Sequence, residues 1–161
     1  MAKCIQSDEQ LRFQESEISF FENGNVEMKL MKVYPKELRQ TIEGFGGAFT
    51  EAAAWTLSTM DQVDQDKVMK AYFGPKGNQY NFCRTHIQSC DFSLGNYAYV
   101  EDETDKDLSS FSIEQDRKYL IPMIKKALTL EPNLQLLASP WSPPAFMKSN
   151  QEMNHGGVLK E

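Results

Sequence analysis

Leu120, Met123, Ile124, Ala127 and Leu128 recur at intervals of three and four residues, which places them on one face of an α-helix. Ser112 followed by Gln115 predicts a capping box at its start. Pro122 inside the run predicts a kink, because proline removes a backbone donor and crowds the preceding turn. Leu134 to Ala138 is then a continuous apolar stretch, the pattern of a strand buried on both faces of a parallel sheet. Tyr80 to Gln88 reads as an earlier strand, joined to the helix by a long polar loop from Ser89 to Ser110. Before it, Thr41 to Phe45 predicts a short strand. Thr50 can cap a helix through Ala52 to Leu57, and a second helix starts near Asp61 and stops at Gly74-Pro75. Nearer the N-terminus, Val26 to Val33 partly alternates in polarity after Glu22-Asn23-Gly24-Asn25, and with Ile18 to Phe21 this predicts a β-hairpin.

Strands alternating with helices predict an α/β fold of right-handed βαβ units. About three such units fit into 161 residues, whereas a complete eight-stranded barrel needs roughly 250. The organisation expected is an N-terminal β segment over residues 1–39 and an α/β segment over 40–161 that stops in a loop after its third strand.

Composition narrows the function classes. The net charge is −6 and the four arginines are scattered, which disfavours nucleic acid as a partner. No apolar run approaches the roughly 20 residues of a membrane-spanning helix. The residues after Met1 turn acidic where a secretory signal would be apolar, so the chain as given reads as cytoplasmic. Cys4, Cys83 and Cys90 form no CxxC pair, and His86 and His155 are far apart. Buried free thiols and no metal site are expected.

Candidate chemistry gathers where strands meet the loops that follow them, the rim at which α/β folds bind ligands. In Gly44-Phe45-Gly46-Gly47, glycines let the backbone turn and approach a neighbour closely. A phosphate cradle is the sharper reading, but the third glycine of G-x-G-x-x-G and a following lysine are missing. A tight strand-to-helix turn is preferred, with Glu51 as a helix-end charge. Arg84 interrupts a strand-like run and calls for carboxylate partners. Asp91, just past that strand, is either an Asx-turn residue or an acceptor for two sugar hydroxyls. His86 reads as a hydrogen-bonded structural residue. Trp141, stiffened by Pro140, Pro143 and Pro144, is either core or a flat surface for the C–H face of a sugar. The acidic loop from Glu101 to Asp107 takes a solvated role by default.

Three segments, GFGGAFTEAAA, YNFCRTHIQSCDFS and LLASPWSPPAFMK, stand in this order from about Gln40 onward. Together they resemble glycoside hydrolase family 30, which contains glucosylceramidases. The resemblance implies a partial (β/α)8 barrel, about its first three βα units, with the N-terminal hairpin belonging to a side β-domain. It implies a retaining β-glycosidase, with glucosides, glucosylceramide, β-1,6-glucans or β-xylosides as possible substrates and no cofactor. It further implies that Asp91 binds sugar hydroxyls, Trp141 lines the same subsite, and Arg84 hydrogen-bonds toward the nucleophile. Retaining enzymes use two carboxylates about 5 Å apart. In the family the acid/base follows an Asn after the fourth strand and the nucleophile follows the seventh. No Asn-Glu pair occurs in this sequence, so both catalytic glutamates are expected beyond Glu161. The isolated chain is then expected to be inactive and prone to self-association through open strand edges. The alternative is a non-catalytic sugar-binding or vestigial truncated product.

Overall fold

The computed structural model describes residues 3–7, 9–10, 12–20 and 32–161. The chain divides into two compact units, residues 1–40 and 41–161.

In the first unit, β1 (Cys4–Gln6) pairs antiparallel with β2 (Gln14–Ser16), with Ile5 opposite Glu15. The Phe13 amide donates to Ser7 Oγ across the turn, and Lys3 meets Glu15 at 3.1 Å. This hairpin lies upstream of the predicted one. The Asn-Gly hairpin read at residues 18–33 falls mostly outside the described residues.

The second unit carries a parallel three-stranded sheet in the order β3 (Ala48–Phe49), β4 (Phe82–Ile87), β5 (Gln135–Pro140). Parallel neighbours need crossovers, and helices supply them. Between β3 and β4 lie α1 (Glu51–Ser58) and α2 (Gln62–Phe73); between β4 and β5 lie α3 (Glu114–Lys118) and α4 (Leu120–Leu130). Thr50 caps α1 by accepting from the Ala53 amide at 3.2 Å, and Asp61 caps α2 through the Asp64 amide at 2.8 Å. Both helices start where the sequence predicts them, and Thr50 caps as expected.

Phe49, Leu57, Met69, Phe73, Cys83, Leu120 and Ala127 form the buried core between the sheet and these helices. The rings of Phe49 and Phe73 stack at 5.6 Å. Helix α4 packs against α1, α2 and β3, and a Lys126–Asp66 ion pair at 2.7 Å ties it to α2. That lysine holds the Asp66 carboxyl below its ordinary range.

Four expectations are corrected. The first strand is displaced from Thr41–Phe45 to Ala48–Phe49, because the glycine segment itself runs beside β4. Asn81 and Phe82 amides donate to the Phe45 carbonyl, and the Arg84 amide donates to that of Gly47. A Cβ on Gly46 would lie 2.0 Å from the Phe82 carbonyl oxygen, and one on Gly44 would lie 2.4 Å from Asn81 Oδ1. The glycines therefore serve close approach to β4.

The predicted capping box does not form. Ser112 Oγ accepts from the Glu114 amide two residues on, while the Gln115 side chain donates to Glu51. Nor does Pro122 kink a continuous helix. The helix breaks at Tyr119, leaving Pro122 in the first turn of α4, where a missing backbone donor costs little. Finally, β5 is not buried on both faces: Leu136 and Leu137 are 41% and 54% exposed, because β5 is the edge of the described sheet.

Candidate functional site

Register fixes which strand residues share a face. Arg84 is opposite Ala48 on one side and Leu137 on the other. Cys83, on the alternate face, points into the core and is buried. Burial pushes the Cys83 thiol up from its ordinary range. Arg84 therefore stands on the face away from the helices, exposed beside Phe82 and Leu137. Its Nε donates to Ser139 Oγ at 2.8 Å. Among the described residues it has no carboxylate partner, contrary to the pairing read from sequence.

Asp91 lies in the loop four residues past the end of β4 and is exposed. Trp141 follows the last residue of β5 directly and is 41% exposed. The three predicted site residues thus occupy adjacent strands, or the loops leaving their C-terminal ends. No hydrogen bond links one of them to another among the described residues. His86 is buried and its Nδ1 bonds the Gln88 carbonyl, in keeping with a structural role. Its Nε2 has no partner among the described residues. Cys90 is only half-buried, and neither it nor Cys83 is in a disulfide.

The loop after β4 is a fixed arm, and sequence reading missed why. Two buried carboxylates clamp it. Glu51, fully buried, accepts from the Leu94 amide at 2.8 Å and from Gln115 Nε2, while the Ala52 amide donates to the Phe92 carbonyl. The segment around Asp91 is thereby tied to α1. Asp116 accepts from the hydroxyls of both Tyr97 and Tyr99. Burial and these bonds to Asp116 push both phenols up, Tyr99 to about 12. Helix-end acidic residues and a Tyr-x-Tyr pair gave no signal of this pairing. In the acidic stretch, Asp105 accepts from Ser109 and Ser110 and Asp102 from Thr104. The Ser110 hydroxyl and amide hold the Asp105 carboxyl well below its usual value.

The loop after β5 is closed by its own backbone. Lys148 and Leu159 form an antiparallel bridge, and Ser149 and Lys160 amides donate to Val158 and Met147 carbonyls. Ser142 Oγ and the buried Lys148 Nζ both donate to the Met153 carbonyl. The two loops are stitched together: Gln88 Nε2 donates to the Ser142 carbonyl and Ser89 Oγ to Met153 Sδ.

Asp91 and Trp141 thus stand exposed just past the ends of β4 and β5, while Arg84 lies within β4 with only its Nε donor engaged among the described residues. Among the described residues, no cluster of three or more His, Cys, Asp or Glu is placed to hold a metal. No described helix is long and apolar enough to cross a membrane.

Parallel strands joined by helical crossovers, with polar and aromatic residues in the loops past the strand ends, are the arrangement of consecutive βα units in a barrel. The family model for the glycosyl hydrolase family 30 TIM-barrel domain matches residues 42–161, and the chain belongs to that family. It is 38% identical to mouse lysosomal acid glucosylceramidase over 133 residues, which are 81% of this chain and 26% of that protein. The crystal structure of SrfJ from Salmonella typhimurium superposes with a TM-score of 0.82 at 42% identity, over 97% of this chain and 36% of that one. A solved endo-β1,6-glucanase superposes with a TM-score of 0.65 at 29% identity, over 71% of this chain and 25% of that one. The chain therefore spans about a quarter of the curated relative's length. The second unit is a partial (β/α)8 barrel, as the resemblance implied.

Proposed function

We propose that this chain forms the front of the sugar pocket of a retaining β-glycosidase acting on β-glucosides. Asp91 accepts hydrogen bonds from the hydroxyls of the non-reducing sugar, and Trp141 offers its flat face to the ring's C–H bonds. Arg84 uses its unspent donors to orient the carboxylate nucleophile. One observation carries the reading. In a family 30 barrel segment, Arg84 on β4 faces away from the core, and the loops leaving β4 and β5 carry Asp91 and Trp141.

The chemistry needs two carboxylates about 5 Å apart, one as acid/base and one as nucleophile. No glutamate here follows an asparagine and only three barrel strands stand among the described residues, so in this reading both come from sequence outside these residues. The mouse relative is named for glucosylceramide and the solved glucanase for a β-1,6-glucan. A β-linked glucosyl unit is common to both, which supports β-glucosides as the substrate class.

The test joins residues 1–161 to the remainder of SrfJ and assays an aryl β-glucoside. The 161-residue chain alone gives no turnover, and the chimera hydrolyses the substrate. Asp91→Asn in the chimera lowers kcat/KM by roughly 10- to 100-fold, the loss of hydrogen bonds to a charged group. Turnover by the chain alone, or an Asp91→Asn chimera as active as its parent, overturns the reading.

A further inference from the structure

We propose that the cleft between the loops after β4 and β5 is a second sugar subsite, taking a neutral hexose unit of an oligosaccharide. Its place as the second subsite rests on the glycosidase reading above; its chemistry does not. The cleft encloses about 590 Å3 and involves neither Asp91, Trp141 nor Arg84. That volume is within the roughly 300–1,000 Å3 typical of small-molecule sites.

Tyr97, in the loop after β4, and Phe146, in the loop after β5, both line it, and aromatic rings pack against the apolar faces of sugars. The Tyr97 hydroxyl is committed to Asp116 at 2.5 Å, so its ring is held in place. Asn96 Nδ2 donates to Asn154 Oδ1 at 2.9 Å, joining the two walls. This pairing leaves Asn96 Oδ1 to accept and Asn154 Nδ2 to donate, and a sugar hydroxyl does both. Glu101 and Glu152 add exposed carboxylates to the lining, while no lysine or arginine belongs to it. Such a lining accepts from hydroxyl donors and repels anions, which selects an uncharged polyol over a phosphate or a uronic acid.

Both walls are fixed before any ligand arrives. Glu51 and Asp116 clamp the first loop, and the Lys148–Leu159 bridge closes the second. A cleft already in shape loses little ordering entropy on binding. The second wall begins three residues after Trp141, so the two proposed subsites share the loop that follows β5.

The test is saturation-transfer NMR on the 161-residue chain with gentiobiose, a β-1,6-linked diglucoside. Saturation transfer is expected, and Asn96→Ala with Asn154→Ala weakens binding about fivefold, one hydrogen bond's worth. Because the amide pair also joins the walls, Glu101→Ala with Glu152→Ala serves as an independent variant that leaves the packing alone. It too is expected to weaken binding severalfold. Loss in these variants with Asp91→Asn unaffected supports the cleft even if the glycosidase reading fails. No transfer from the parent chain overturns the proposal. So does binding lost in Asp91→Asn and Trp141→Ala yet unchanged in both cleft variants, which would assign the sugar to the first pocket.

Discussion

On the helix side of the sheet, Phe49, Cys83 and Thr85 are buried and meet a packed core. On the opposite side, Phe82 and Arg84 alternate with Cys83 and Thr85 along β4, Leu137 stands beside Arg84 on β5, and all three are open. One backbone thus carries two surfaces with different duties. The first supplies stability, and its residues are interchangeable in kind so long as volume is kept. The second contributes little stability and carries Arg84, the candidate residue that lies within a strand, so its residues are free to answer to chemistry.

The comparison predicts unequal costs. Met69→Ala, which empties a fully buried position, lowers stability by about 2–5 kcal/mol, read from the shift in urea midpoint. A Leu137→Ser change that cost as much would abolish the distinction between the faces.

Asp116→Ala tests the clamp behind the open face. It leaves the Tyr97 and Tyr99 hydroxyls without their acceptor and costs about 1–3 kcal/mol. Amide exchange over residues 94–112 rises selectively; a uniform rise across the chain would place Asp116 with the general core instead.

A smaller effect comes at alkaline pH. Tyr99 is pushed from 10.0 to about 12 in the folded state, so folding favours the neutral phenol. That contribution is complete below pH 10 and is lost as pH rises through about 12. Ultraviolet titration shows Tyr99 ionising late, and Asp116→Ala brings it back toward the ordinary value. Smallest of all, Leu137→Ser on the open face changes stability by no more than about 0.5 kcal/mol.

Much of the helix side was legible in the sequence, because burial leaves a period. The α4 stripe of Leu120, Met123, Ile124 and Ala127, the cap at Thr50 and the helix start near Asp61 were read where they occur, although Leu128, read on the same face, is 39% exposed. Strand β4 was found, but β3 was placed too early, since glycines carry no side-chain pattern and their role depends on a partner 36 residues away. The capping box failed for a related reason: Gln115 had a tertiary acceptor in Glu51, and local pattern cannot weigh a distant competitor. Site legibility divides the same way. Arg84, Asp91 and Trp141 were reached through short segments resembling a family. Glu51 and Asp116 were not recognised as clamps, because a buried carboxylate looks like any surface acid until its donors are known.

The sheet order β3-β4-β5 repeats the order of the strands along the chain. During synthesis, every strand of this unit after the first emerges to find its neighbour already made, and only one crossover has to close at a time. The ribosome's direction and the sheet's direction of growth therefore coincide. The outer edge of β5 lies at the end of that order among the described residues, and its backbone N–H and C=O groups, flanked by the exposed Leu136 and Leu137, can accept another strand.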